Sequence, residues 1–182
     1  MKNSLDVISV SAFDKPVETT ANVPGSKSYS LRALFIAALC EKKPKITGLL
    51  KSDDTSAMKE CLKSIKYGGK LNARDSGTTA RFMIAMCCIS PGTQIITGST
   101  GLKKRPVAEL ADALQELGAE IEYLEKDGFL PLRISSSELS GRSVKISGKT
   151  SSQYLSALLL IAPTLKDGLQ INVAGNQISK PY

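Results

Sequence analysis

Runs of apolar residues recur along the chain in one fixed setting. Three stretches share it: KSYSLRALFIAALCEKKPKITG from Lys27, SGTTARFMIAMCCISPGTQIITG from Ser76 and SSQYLSALLLIAPTLKDGLQINVAG from Ser151. Each opens on a cluster of Ser, Thr or Gly and continues into an apolar run. A turn bearing Pro or Gly follows, then a short β-like run closed by Gly48, Gly98 or Gly175. Such spacing is the mark of an internal repeat. An apolar run without a polar face predicts a helix buried on all sides.

After the first two copies the pattern changes. In DDTSAMKECLKSIKYGG, Met58, Leu62 and Ile65 lie three or four apart and form one stripe. This predicts an amphipathic helix opening on Asp54 or Thr55 and closing at Gly68. RPVAELADALQELGAEIEY repeats the arrangement. Pro106 suits the first helical turn, Leu110, Leu114 and Leu117 form the stripe, Gly118 ends it, and AEIEY alternates as a strand. The third copy is preceded by room for an extra β segment around Gly128–Ser147 and lacks its outer helix, with Pro181 of SKPY placed to start one. The expected architecture is an α/β domain of pseudo-threefold symmetry. Three parallel apolar helices are buried, amphipathic helices and strands cover them, and the third repeat is incomplete.

Composition narrows the function. The 182 residues, 42% of them hydrophobic, suit one globular domain or a domain with a fragment of another. The apolar runs fall short of the ~20 residues that span a bilayer, and no apolar segment of the secretory kind follows Met1, so no membrane partner is expected. Cys40, Cys61, Cys87 and Cys88 match no metal-binding spacing, which predicts a reduced, cytoplasmic chain without a metal. The net charge of +7 favours an anionic partner. Nucleic acid is disfavoured, because only 5% of residues are aromatic, Trp is absent and no dense basic run occurs. With no His, acid–base chemistry must come from Lys, Asp, Glu, Tyr, water or groups supplied from elsewhere.

The mouths of the apolar helices are the candidate chemistry. A helix N-terminus offers unpaired N–H groups and a partial positive charge, which suits an anion. Ser and Thr are also ordinary helix caps, and capping alone accounts for SGTT or SSQ. It does not account for Lys27 in GSKSYS, whose place beside an apolar run costs desolvation without a compensating partner. Recurrence at GSKSYS, DSGTT and KTSSQ favours one anion-binding face. In GSTGLKKRP, a solvated charge run explains Lys103 and Lys104, whereas Arg105, fixed beside Pro106, is a candidate anion ligand.

PGSKSYSLRAL, DSGTTARFM, GLKKRPVAEL, SSQYLSALL and SKPY together resemble, in order and spacing, the motifs of the 5-enolpyruvylshikimate-3-phosphate synthase family. The resemblance runs from about Val23 onward. It implies an enolpyruvyl transferase fold of two domains, each built of three βαβαββ units, and transfer of the enolpyruvyl group of phosphoenolpyruvate to the 5-hydroxyl of shikimate 3-phosphate. Residues 1–21 would then belong with the other domain, and residues 22–182 would form an enolpyruvyl transferase domain truncated in its third repeat. Lys27 resembles the catalytic lysine that touches both substrates. Ser28, Arg32, Ser151, Ser152, Gln153, Ser179 and Tyr182 resemble shikimate 3-phosphate ligands. Gly77 and Arg105, with Lys27 and Gln153, resemble the phosphoenolpyruvate site. Thr78 and Arg81 resemble residues that support the loop and helix. Asp75 and Leu31 stand where the family commonly has Asn, and Asp75 must pair with a cation or cap the helix to be tolerated near a phosphate. The resemblance implies no cofactor and no metal. The family's remaining acid–base residues come from the other domain, so catalysis needs it. The related transferase acting on UDP-N-acetylglucosamine typically carries a Cys before the RP dipeptide, and GSTGLKKRP has none. A non-catalytic module binding polyanions or RNA is the more distant alternative.

Overall fold

The computed structural model describes residues 8–135, 138–149 and 151–176. Eleven principal elements follow one another: α1 (Lys27–Leu39), α2 (Asp53–Ser64), β1 (Gly69–Asn72), α3 (Gly77–Cys88), β2 (Thr93–Thr97), α4 (Ala108–Glu116), β3 (Glu120–Tyr123), β4 (Leu132–Ser135), β5 (Ser143–Ser147), α5 (Ser152–Ile161) and β6 (Gln170–Ala174). From β1 to β4 the order is βαβαββ, the unit implied by the resemblance. β5, α5 and β6 begin another.

The strands form two sheets. One has the order β1-β2-β4-β3, with β1 parallel to β2 and the other pairs antiparallel. The other pairs β5 with β6 in parallel, Ser143 opposite Gln170 through Ser147 opposite Ala174. Parallel neighbours need a crossover, and α3 and α5 supply it. Alternation sets the inward side: Leu71, Ile96, Leu132 and Ile134 are buried in one core with Phe82, Met83 and Tyr154.

α3 fulfils the expectation of a helix buried all round, with eleven of its twelve residues buried. α5 buries six of ten and leaves Leu159 about half exposed. α1 departs from it. Only Ser30, Leu31 and Phe35 are buried, and Ile36 is half exposed. Its apolar character is as complete as that of α3, but among the described residues no sheet lies over its outer face. The β-like run that follows α1, residues 44–48, likewise forms no strand. A strand exists only with a ladder partner, and these residues have none among those described.

Helix starts also differ from the expected ones. α2 is capped by Ser52, whose hydroxyl accepts the N–H of Thr55 at 3.3 Å while Thr55 Oγ1 accepts the N–H of Ser52 at 3.1 Å. This reciprocal box puts the cap two or three residues earlier than expected and leaves Asp53 and Asp54 in the first turn, where negative charge suits the helix dipole. α4 begins after Val107, so Pro106 lies before its helix. Gly68 and Gly118 do end their helices, with φ of 69° and 104°. No helix among the described residues is long and apolar enough to cross a membrane.

Candidate active site

Three amino-terminal helix ends meet on one side of the fold. Ser76 caps α3 by accepting the Thr79 N–H at 3.2 Å, and its own hydroxyl lies 2.8 Å from Thr79 Oγ1. Ser151 caps α5 through the Gln153 N–H at 3.2 Å. Ser26 caps α1 through the Tyr29 N–H. The α1 and α3 ends are joined through the first turn of α2. Lys27 Nζ lies 3.1 Å from Asp54 Oδ2, and the Asp54 carbonyl accepts the Thr79 hydroxyl at 3.2 Å. α1, α2 and α3 therefore meet through one carboxylate and one carbonyl.

Gly77 is the point where α3 and α5 meet the loop before α4. A Cβ on Gly77 would lie 2.6 Å from Arg81 Nη1, 3.3 Å from Arg105 Nη1 and 3.8 Å from Gln153 Oε1. Two guanidinium groups and a carboxamide thus crowd the first residue of α3. Arg81 is buried and donates to the Gly77 carbonyl at 3.0 Å and to the Pro106 carbonyl at 3.1 Å. Tyr154 Oη donates to the same Pro106 carbonyl at 2.7 Å, and the Arg81 guanidinium lies over the Tyr154 ring. Arg81 and Tyr154 together fix the RP dipeptide and hence the approach of Arg105. Neither Arg81 nor Arg105 has an ion-pair partner among the described residues. Two uncompensated cations at a helix N-terminus oppose its dipole and one another. An anion relieves both.

Arg32 occupies a different position. Its guanidinium donates to the Ser28 carbonyl at 3.2 Å and to Ser156 Oγ at 2.7 Å, and it lies over the Phe82 ring. It ties α1 to α5 beneath Ser28. Ser151, Ser152 and Gln153 are half-buried at the start of α5. Ser179 and Tyr182 lie outside the described residues. Lys103 pairs with Glu125 at 2.7 Å, in keeping with its reading as a surface charge. Asp75 neither caps α3, a role held by Ser76, nor pairs with a cation among the described residues. It accepts a hydrogen bond from the Ser99 hydroxyl. Leu31 is fully buried in the core, a place unsuited to the polar residue the family commonly carries.

Sequence reasoning missed Asp54 as the partner of Lys27, and Ser156 as the partner of Arg32. Asp54 was legible only as a cap candidate. Ser156 follows Ser152 by four residues, so a shared helix face could be read, but not that Arg32 would reach it. The thiols offer no nucleophile inside the core. Burial and the neighbouring Glu60 push Cys61 up to about 11, although Arg74 opposes this. Burial pushes Cys88 up to about 12 and Cys87 well above its ordinary value. Among the described residues no group of three or more His, Cys, Asp or Glu could hold a metal ion.

Comparison with known proteins identifies the family and the fold. The family model described as EPSP synthase (3-phosphoshikimate 1-carboxyvinyltransferase) matches residues 12–69 and 66–182. A 3-phosphoshikimate 1-carboxyvinyltransferase of Sulfurovum sp. is 40% identical over 190 aligned positions, covering 91% of this chain and 44% of the relative. That of Shewanella pealeana is 41% identical over 192 positions, covering 92% and 45%. That of Bacteroides fragilis is 42% identical over 167 positions, covering 91% and 40%. The chain thus spans less than half the length of these relatives. An EPSP synthase structure from Acinetobacter baumannii superposes with a TM-score of 0.75 at 22% identity, covering 86% of this chain and 41% of that one, which shows the shared fold. With the family model running through all three apolar helix mouths and the Arg105 loop, the chain belongs to the EPSP synthase (3-phosphoshikimate 1-carboxyvinyltransferase) family.

Proposed function

We propose that this chain is a substrate-binding part of a cytoplasmic 3-phosphoshikimate 1-carboxyvinyltransferase, acting in the shikimate route to chorismate and the aromatic amino acids. The reaction joins phosphoenolpyruvate to the 5-hydroxyl of shikimate 3-phosphate and releases phosphate. Both substrates are polyanions, and bringing them together requires dense, oriented positive charge. The observation that carries the reading is the crowding of Arg81, Arg105 and Gln153 around Gly77.

In this reading phosphoenolpyruvate sits over Gly77, where the α3 N-terminus and Arg105 neutralise it. Arg81 holds the floor through its two carbonyl bonds. Shikimate 3-phosphate lies toward the starts of α5 and α1, its phosphate on Ser151 and Ser152, with Ser28, Arg32, Ser179 and Tyr182 as further ligands. Gln153 orients the two substrates toward each other. Lys27, held by Asp54, contacts both and offsets the charge that develops as the hydroxyl adds to the enol ether. The proton donor for the methylene carbon and the base for the hydroxyl come from the part of the relatives that this chain does not cover. Residues 1–21 are assigned to the same domain as that part.

Calorimetric titration of shikimate 3-phosphate into the chain tests the proposal. The expected result is saturable 1:1 binding, weakened at least ~10-fold by Ser152→Ala or Lys27→Met, which corresponds to about 1.4 kcal/mol. A binding module for RNA behaves differently: it takes up a random oligonucleotide with an affinity that falls steeply in salt. That outcome, without shikimate 3-phosphate binding, overturns the assignment.

A further inference from the structure

The opposite end of α1, α2 and α3 carries a groove of about 700 Å³ that the proposed site does not use. α1 rises ~1.5 Å per residue, so the groove at its carboxyl end lies most of a helix length from Lys27. Leu34, Leu39, Leu62 and Ile89 line it and are only partly buried, with their inner sides against the core. In the βαβαββ unit from β1 to β4, Ile96, Leu132 and Ile134 are fully buried against the core helices. The first unit has no such cover among the described residues. α2 runs through a short turn, Ile65–Tyr67, straight into β1.

The comparisons point to where some relatives carry more chain. At equal coverage of this chain, the Sulfurovum and Shewanella alignments are longer than the Bacteroides one by about two dozen positions. The family model takes up the chain in two stretches that meet at residues 66–69. The break in the family match points to the stretch between α2 and β1 as the place of those extra positions, where the repeat calls for a closing β-hairpin equivalent to β3–β4. About two dozen residues is the length of such a hairpin with its turns.

The rim of the groove has one sign. Lys43, Lys59, Lys63 and Lys66 line it, opposed only by Glu41, and none of the four lysines is in an ion pair among the described residues. Lys59, Lys63 and Lys66 follow one another at helical spacing along one side. The β-like run 44–48 leads away from the rim without a ladder partner among the described residues. An apolar floor, a basic rim and an unpaired β-like segment are what an added strand recognises.

We propose that this groove is an interaction surface that receives an extended, acidic segment of another protein as an added strand. The strand takes the place of the absent hairpin, with alternate apolar side chains on Leu34, Leu62 and Ile89 and carboxylates toward the lysine rim. A second copy of this chain is disfavoured as occupant, because an isologous contact would set lysine rim against lysine rim.

The test is titration of the ¹⁵N-labelled chain with a capped octapeptide of alternating Val and Glu, and in parallel with its Val/Lys counterpart. The acidic peptide is expected to shift amides of residues 34–47, 59–67 and 86–91. Lys59→Glu with Lys63→Glu, both exposed positions, should weaken that binding at least ~10-fold and admit the basic peptide. Retained spectral dispersion shows that the double variant is folded. Equal response to both peptides, shifts elsewhere, no shifts at all, or self-association that covers the same amides each overturns the proposal.

Discussion

Gly77→Ala is the sharpest probe of the crowding at the α3 mouth. The glycine's φ is not in the left-handed region, so alanine can adopt the backbone. By itself this gains about 0.4–1 kcal/mol by restricting the unfolded chain. The new methyl group, however, would sit 2.6 Å from Arg81 Nη1, well inside ordinary contact distance. The guanidinium must withdraw and give up its 3.0 Å bond to the Gly77 carbonyl. Arg81 is 7% exposed, and water does not replace the partner fully. A hydrogen bond to a charged group is worth about 1.5–3 kcal/mol, so the net loss is about 1–2 kcal/mol. For a domain of this size that lowers Tm by about 3–6 °C. Gly101→Ala is the control. Its φ is −68° and its nearest neighbour would be 3.7 Å away, so Tm should hold or rise. Differential scanning calorimetry of the two variants decides the matter. An unchanged Tm for Gly77→Ala, or equal shifts in both, refutes the claim that Arg81 is pinned by this glycine. The same methyl group would crowd Arg105 Nη1 at 3.3 Å, and phosphoenolpyruvate binding should weaken along with stability.

Further predictions rest on separate contacts. Asp54→Asn removes the ion pair of Lys27 but keeps the carbonyl that Thr79 uses; shikimate 3-phosphate binding should change at least ~3-fold by calorimetry while Tm moves little, because a half-exposed pair adds only ~0–1 kcal/mol. Ser30→Ala deprives the Leu50 N–H of its 2.9 Å acceptor and should cost about 1–3 kcal/mol in denaturant unfolding. A thiol reagent at pH 8 should modify Cys40 alone in the folded chain, and Cys61, Cys87 and Cys88 only after unfolding. Folding raises the pKa of those three thiols, so their contribution to stability is complete below the ordinary value of 9.0 and declines as pH climbs above it, toward about 11 for Cys61 and about 12 for Cys88. Unfolding midpoints measured from pH 8 to 11 should therefore fall, and Cys61→Ser with Cys88→Ala should flatten the decline.

What the sequence revealed depended on whether a feature belonged to one segment or to two. The period of Leu110, Leu114 and Leu117 and the cap chemistry of Ser76 and Ser151 are local, and the helices they imply stand close to where they were expected. The gathering of helix mouths was expected from repetition, because three segments of like pattern should place their capped starts alike, although α1 is far less enclosed than α3. Asp54 on Lys27, Ser156 on Arg32 and Tyr154 on Pro106 were not legible, since each contact joins residues far apart in the chain through side-chain reach alone. The most instructive failure is α1. Its composition matches that of α3, yet α3 is enclosed and α1 is half bare. Apolar character states only that a surface should be covered; the cover is another segment's property. Residues 44–48 make the same point for strands. Lys45, Ile46 and Thr47 have a strand-like pattern as good as that of β2, but β2 has β1 on one side and β4 on the other. Repeats therefore transmit a fold only as far as each copy keeps its partners. Where a copy has no such cover among the described residues, the same sequence pattern leaves an open groove instead of a core.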